Sequence, residues 1–170
     1  MRNITTTVYN FHELSDEAKE KAIQNMYDIN IDTEWWLFTY DDAENIGLKI
    51  TEFDLSGRCY VKGNFTESAY DVAQNIIREH GAHCETVKSA MEYLKELETI
   101  TAQNLIDNVG EEYPEDFLDT EDIDGEFLRS LLEDYRIIMQ KDYDYLTSEE
   151  AIMSAIDANI YEFTVDGKLV

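Results

Sequence analysis

The chain has 170 residues, 44% of them apolar, and its thirty-eight acids against thirteen bases leave a formal charge of −25. A charge of that sign and size repels DNA, RNA and anionic lipid and so argues against direct affinity for any of the three. The apolar share, with eleven Tyr, seven Phe and two Trp, excludes a disordered acidic tail, because a chain of this length buries roughly 70% of its unfolded surface.

Residues Ile4 to Phe11 alternate and are rich in Thr, Val and Tyr, which predicts a strand. Ser15 then reads as the N-cap of a helix with Asp16 and Glu17 in its first turn and Ala18, Ala22, Ile23, Met26 and Tyr27 on one stripe. A second helix is predicted from Asp32, carrying Trp35, Trp36, Phe38, Ala43 and Ile46, with Gly47 ending it. Leu48 to Leu55 alternates as a strand, and the alternation slips by one near Glu52, the mark of a bulge. Ser56-Gly57 is a turn, and Cys59 to Phe65 returns as the second strand of a hairpin.

Thr66 is the predicted cap of the next helix, with Tyr70, Ala73, Ile76 and Ile77 on its stripe and Gly81 beyond its end. A long helical pattern covers Glu85 to Val109, with Thr99-Ile100-Thr101 as its weak point. Gly110 to Gly125 is acidic and aperiodic and reads as irregular. Phe127, Leu128, Leu131, Leu132, Tyr135, Ile138 and Met139 form the clearest amphipathic helix. Thr147-Ser148-Glu149-Glu150 fits a capping box before Ala151, and Tyr161 to Val165 reads as a last strand followed by an Asp166-Gly167 turn. The expected class is α+β: a small antiparallel sheet of three to four strands packed with five to six helices, in a single globular domain over 1–170 with an acidic C-terminal third.

Small soluble domains carry a net charge of magnitude about 2–8, so −25 has a use beyond solubility or reflects a halophilic habitat. Residues 1–50 contribute −6, residues 51–110 contribute −5 and residues 111–170 contribute −14. The run Glu111, Glu112, Glu115, Asp116, Asp119, Glu121, Asp122, Asp124 and Glu126 contains no base, and Glu133 and Asp134 extend it. These eleven are the candidate partner-binding residues. Duplex DNA carries about one charge per 1.7 Å of axis, and carboxylates spread over a helix and loop imitate such a rod to a Lys/Arg groove. A plain solvated acidic face is the competing reading. The calcium loop pattern with acids at fixed positions and a closing Glu is not met, since Asp119, Glu121, Asp122 and Asp124-Gly125 echo it only in part.

Cys59, His80, His83 and Cys84 supply four nitrogen and sulfur donors, enough for tetrahedral zinc. The His-x-x-His-Cys spacing is not a paired-ligand pattern, so the expectation is a capping histidine and two buried cysteines, with no metal and no cofactor. Nucleophile-elbow, phosphate-loop, dinucleotide and His-Glu-x-x-His motifs are all absent, and catalysis is not expected. Trp35 and Trp36 are adjacent and point apart on a helix; either one anchors an interface or the helix is buried on two sides. No 18-residue apolar stretch is present, Met1 to Thr5 lacks the apolar core of a signal peptide, and two cysteines make no secreted scaffold. A cytoplasmic address follows.

Both ends of the chain resemble a family of small proteins common in phage and prophage genomes. The likeness is carried by Ile4-Thr5-Thr6-Thr7-Val8-Tyr9, by Phe11-His12-Glu13-Leu14-Ser15-Asp16-Glu17-Ala18-Lys19-Glu20-Lys21-Ala22, by Glu34-Trp35-Trp36, by Asp144-Tyr145-Leu146-Thr147-Ser148-Glu149-Glu150-Ala151 and by Ala158 through Gly167. The middle diverges, with Gly57 to Gly63 as the nearest echo. Members are often labelled antitoxins of toxin–antitoxin stability systems. The resemblance implies a mobile-element origin and a role inside the bacterial host, and it carries no residue roles. Joined to the charge, it sets the expectation of a non-catalytic phage-encoded inhibitor that binds a basic nucleic-acid-binding host defence protein, a CRISPR effector or restriction nuclease. The alternatives are an antitoxin on a basic toxin and a small metal-binding protein. A homodimer stays open.

Overall fold

The computed structural model describes residues 7–107 and 119–170. In chain order the elements are β1 (Tyr9–Asn10), a 3-10 turn (Phe11–Glu13), α1 (Asp16–Asn25), α2 (Leu37–Asn45), β2 (Leu48–Asp54), β3 (Tyr60–Phe65), α3 (Ala69–Glu79), α4 (Glu85–Asp107), α5 (Glu121–Leu146), α6 (Glu149–Asn159) and β4 (Glu162–Phe163). The described residues of Met1–Trp35 and Gln140–Val170 form one compact unit, and those of Trp36–Met139 form a second.

Three serines set where helices begin. Ser15, Ser68 and Ser148 each accept the backbone N–H three residues on, at 3.3, 3.1 and 3.3 Å, which satisfies a donor the helix itself leaves unpaired. The predicted box opens at Thr147, three residues before Glu150, but the Thr147 hydroxyl donates to the Tyr143 carbonyl at 2.8 Å and Ser148 caps α6. Ser15 is a cap as predicted. Thr66 is not: its hydroxyl and its N–H both donate to the Gly47 carbonyl, at 3.1 and 2.8 Å, and Ser68 takes the cap of α3 instead.

The first unit packs α1 against α6. Phe11, Leu14, Ala18, Ala22 and Met26 meet Ile152, Ile156 and Phe163 in one buried cluster. β1 pairs antiparallel with β4, Tyr9 opposite Phe163 and Asn10 opposite Glu162. The predicted N-terminal strand thus has only two residues among those described, because Phe11 turns into the core as part of the 3-10 turn; Ile4 to Thr6 lie outside the described residues.

In the second unit β2 and β3 form the predicted hairpin, and its register shifts between Ile50 and Glu52, where the alternation slips. α2 lies on β2 and α3 on α4. Ile46, Leu48, Val72, Ile76, Leu131, Tyr135 and Met139 are completely or almost completely buried there. A Cβ on Gly63 would stand 2.6 Å from the Lys49 carbonyl oxygen of the facing strand and 3.1 Å from Leu132 Cδ2 of α5, so the close β2 backbone is what demands glycine there.

The α+β class holds, with six α-helices among the described residues. The expected single sheet is instead two separate two-stranded sheets, β1–β4 and β2–β3, because each strand finds its partner within its own unit. α2 starts at Leu37 rather than Asp32, since turns closed by Asp32 N–H on the Asp28 carbonyl and Trp35 N–H on Thr33 occupy the stretch before it. The two tryptophans therefore precede the helix. Trp35 packs on Tyr143 and Trp36 on Phe53, ring centroids 5.9 and 5.5 Å apart. The exposed aromatic of α2 is Phe38, 87% accessible. α4 does not break at Thr99-Ile100-Thr101: the Thr99 and Thr101 hydroxyls bond back to the Lys95 and Leu97 carbonyls at 2.9 and 2.7 Å, which absorbs them inside the helix. Of the segment read as irregular, residues 110–118 lie outside the described residues, and the chain is helical from Glu121 onward.

Candidate functional site

Of the eleven acids singled out by sequence, Glu111, Glu112, Glu115 and Asp116 lie outside the described residues. The other seven begin at the head of α5. Asp119 accepts the Glu121 N–H at 3.1 Å and so closes the start of the helix. Glu121, Asp122 and Asp124 occupy its first turn, where the helix dipole favours a negative charge by about 0.3–1 kcal/mol each. Local helix chemistry therefore accounts for part of the acid density at this point.

Three of the seven are committed elsewhere. Asp124 accepts the Tyr93 phenol at 2.7 Å and the Thr120 hydroxyl at 3.0 Å. The Tyr93 hydroxyl is held protonated by burial and by this carboxylate. Asp134 accepts the Ser89 hydroxyl at 2.7 Å; burial first, and then the charges of Glu85, Glu133 and Glu92, raise its pKa. Glu133 accepts from Nε and Nη2 of Arg136, each at 2.7 Å, and its pKa is lowered by that partner.

Glu126 is different, and the structure gives it company that the sequence did not. A groove of about 220 Å³ runs between α4 and α5. Buried Tyr93, Ile123 and Phe127 line it, and the Tyr93 and Phe127 rings stack with centroids 4.6 Å apart. Exposed Glu92 and Glu96 from α4 and Glu126 from α5 stand along it, with Ser89 and Ser130. Among the described residues neither Glu92 nor Glu96 has an ion pair, and Glu126 has only the long 3.7 Å contact to exposed Arg129. The i, i+4 spacing of Glu92 and Glu96 on one helix face was legible in the sequence; their meeting with Glu126 across the groove was not. Three carboxylates over an apolar floor suit a cationic side chain with an apolar stem, such as Arg or Lys.

A second polar cluster also escaped the sequence reading. Asp42 on α2 accepts the Tyr135 hydroxyl of α5 at 2.7 Å. Its other oxygen faces the buried Nε2 of His80 at 3.5 Å, long for a hydrogen bond, and His80 Nδ1 meets the Thr86 hydroxyl of α4 at 2.8 Å. The pKa of Asp42 is lowered, chiefly by His80. A polar recess of about 400 Å³ opens beside Asp42, Asn45, Glu79 and His80. Thr86 itself is buried, and the cluster joins residues of α2, α4 and α5 to the C-cap of α3.

The four candidate metal donors separate. His80 is the C-cap residue of α3, as the capping reading has it. Cys59 and Cys84 are both free and exposed rather than buried, because Cys59 sits at φ 51° in the hairpin turn and Cys84 in the loop before α4. His83 is exposed. Among the described residues no group of three or more His, Cys, Asp or Glu is arranged to hold a metal ion, and no helix is long and apolar enough to cross a membrane. No family model, curated protein or solved structure matches the chain.

Proposed function

We propose that this protein is a non-catalytic inhibitor that presents carboxylates to the nucleic-acid groove of a basic host defence protein, a CRISPR effector or a restriction nuclease. What supports the reading is the acid-flanked groove between α4 and α5, whose Glu92, Glu96 and Glu126 are exposed and almost free of internal cations. The host-defence setting rests on the resemblance of the chain's two ends; the chemistry rests on the groove.

Charge density refines which nucleic acid is imitated. From Glu121 to Met139, α5 carries six acids and two bases over 19 residues, about one net charge per 7 Å. α4 adds five acids against two bases, which brings the pair of helices to roughly one net charge per 4–5 Å of length. That is closer to one strand, at about 3.4 Å per charge, than to duplex at about 1.7 Å. The partner groove is therefore one that holds a single strand or one edge of a duplex.

The test is binding to a panel of such nucleases, with E92K/E96K/D122K/E126K as the variant, all four positions being exposed. Binding should weaken steeply with salt, be competed by the partner's own nucleic acid, and fall at least a hundredfold in the variant. Salt-insensitive, uncompeted binding, or an unchanged affinity in the variant, would sink the reading.

A further inference from the structure

Two helices end at one recess. α2 closes at Asn45 with Ile46 as its C-cap, and α3 closes at Glu79 with His80 as its C-cap. All four residues, with Asp42, line the polar recess of about 400 Å³. A helix C-terminus is the negative end of its dipole and favours a cation. α2 has no basic residue, and α3 has only Arg78. That guanidinium is already engaged: Nε meets Glu79 Oε1 at 2.7 Å and Nη2 meets Asn75 Oδ1 at 2.8 Å.

The acceptors at the recess are not all satisfied. Asp42 takes the Tyr135 hydroxyl on Oδ2, and its Oδ1 has His80 Nε2 as its neighbour at 3.5 Å, too far for a good hydrogen bond. The His80 side chain is only 10% exposed, and its buried Nε2 has no hydrogen-bond partner. Such an atom is rare in a folded chain, and here it shows that the imidazole does not answer Asp42. Arg78 likewise reaches only one of the two Glu79 oxygens.

Carboxylate oxygens and two helix C-termini call for an occupant that donates without accepting, which among side chains means Arg or Lys. The planar guanidinium, with five N–H groups, spans separate acceptors and loses less hydration than a compact ammonium. Phe38 stands one turn before Asp42 on α2 and is 87% exposed, so a chain carrying the arginine also meets an apolar contact. Free arginine brings a carboxylate that this negative wall repels. We infer that the recess binds an arginine side chain of a partner protein, its guanidinium donating to Asp42 Oδ1 and the Glu79 carboxylate beside the His80 ring.

NMR on the full chain tests this, with N-acetyl-arginine methylamide as the probe and the blocked lysine and free arginine as controls. The probe should shift the His80 ring and Asn45 side-chain signals saturably in the millimolar range, at least threefold more tightly than either control. Asp42→Asn should weaken it at least tenfold and Glu79→Gln, at an exposed position, at least threefold; the second variant decides if the first folds poorly. Glu162→Gln, an exposed acid of β4, should leave it unchanged. Shifts that do not saturate, equal binding of blocked lysine, equal or tighter binding of free arginine, or indifference to Glu79→Gln would overturn the inference. These variants leave Glu92, Glu96 and Glu126 in place, so failure here and failure of the acidic-groove reading are separate results.

Discussion

Tyr135 donates its hydroxyl proton to the Asp42 carboxylate across 2.7 Å, between residues 93 positions apart in the chain. Tyr135 is completely buried, and burial followed by this carboxylate holds its hydroxyl protonated. Removing the donor alone leaves the ring in place. Tyr135→Phe is expected to lower unfolding free energy by about 1.5 kcal/mol, the lower end of the range for a hydrogen bond to a charged group, since Asp42 is half exposed. Urea unfolding at pH 7 measures it. The sign with pH follows from Asp42, whose pKa is lowered in the folded state. Its contribution is present above the unfolded carboxylate value and is lost as pH falls through the folded one, so the difference between the two proteins should shrink in acid.

Asp54 organises the β2–β3 turn. Its carboxylate accepts the N–H groups of Ser56 and Gly57 at 2.9 Å each and of Arg58 at 3.0 Å, and these lower its pKa from 3.8 to about 2. A depressed carboxylate stabilises the folded turn above the unfolded pKa, and that support disappears as pH falls through about 2. Carboxyl-carbon NMR titration should place the Asp54 midpoint near 2. A midpoint near 4 would show that the three N–H groups do not hold the charge.

Asp134 has the opposite sign. Its pKa is raised, mainly by burial, so its ionisation opposes folding at neutral pH and that cost is relieved as pH falls through the raised value. Asp134→Asn keeps an acceptor for Ser89 and removes the charge. The variant should unfold at higher urea than the wild type at pH 7, with the gap closing near pH 4. A variant less stable at pH 7 would mean that the Ser89 bond outweighs the repulsion.

Gly167 turns the chain back after β4. It sits at φ +79°, and a Cβ there would strike the Ala18 carbonyl oxygen of α1. Left-handed backbone alone costs a non-glycine residue about 1–2 kcal/mol, and the clash adds to it. Gly167→Ala should therefore lose at least about 2 kcal/mol in chemical unfolding. Gly81, where a Cβ would meet only Cys84 Sγ at 3.9 Å, is the control: Gly81→Ala should change stability by less than about 0.5 kcal/mol.

The sequence by itself determined what depends on neighbours a few residues away. Ser15 begins a helix because its hydroxyl reaches an N–H three positions on. The slip at Glu52 reports the bulge because a period of two cannot absorb an extra residue. The net charge is simple composition. Tertiary structure decided the rest. Thr66 and Ser68 can both cap a helix, and the Gly47 carbonyl, far off in the chain, engages Thr66 and leaves the cap to Ser68. Acids that look alike in a run were sorted by what packs beside them: Asp124 went to Tyr93, Asp134 to Ser89, Glu133 to Arg136. Glu126 instead joined Glu92 and Glu96 along an open groove. A carboxylate's role is set by the groups within about 4–6 Å of it, and for Asp42, Asp124 and Asp134 those groups come from distant parts of the chain that only packing brings near.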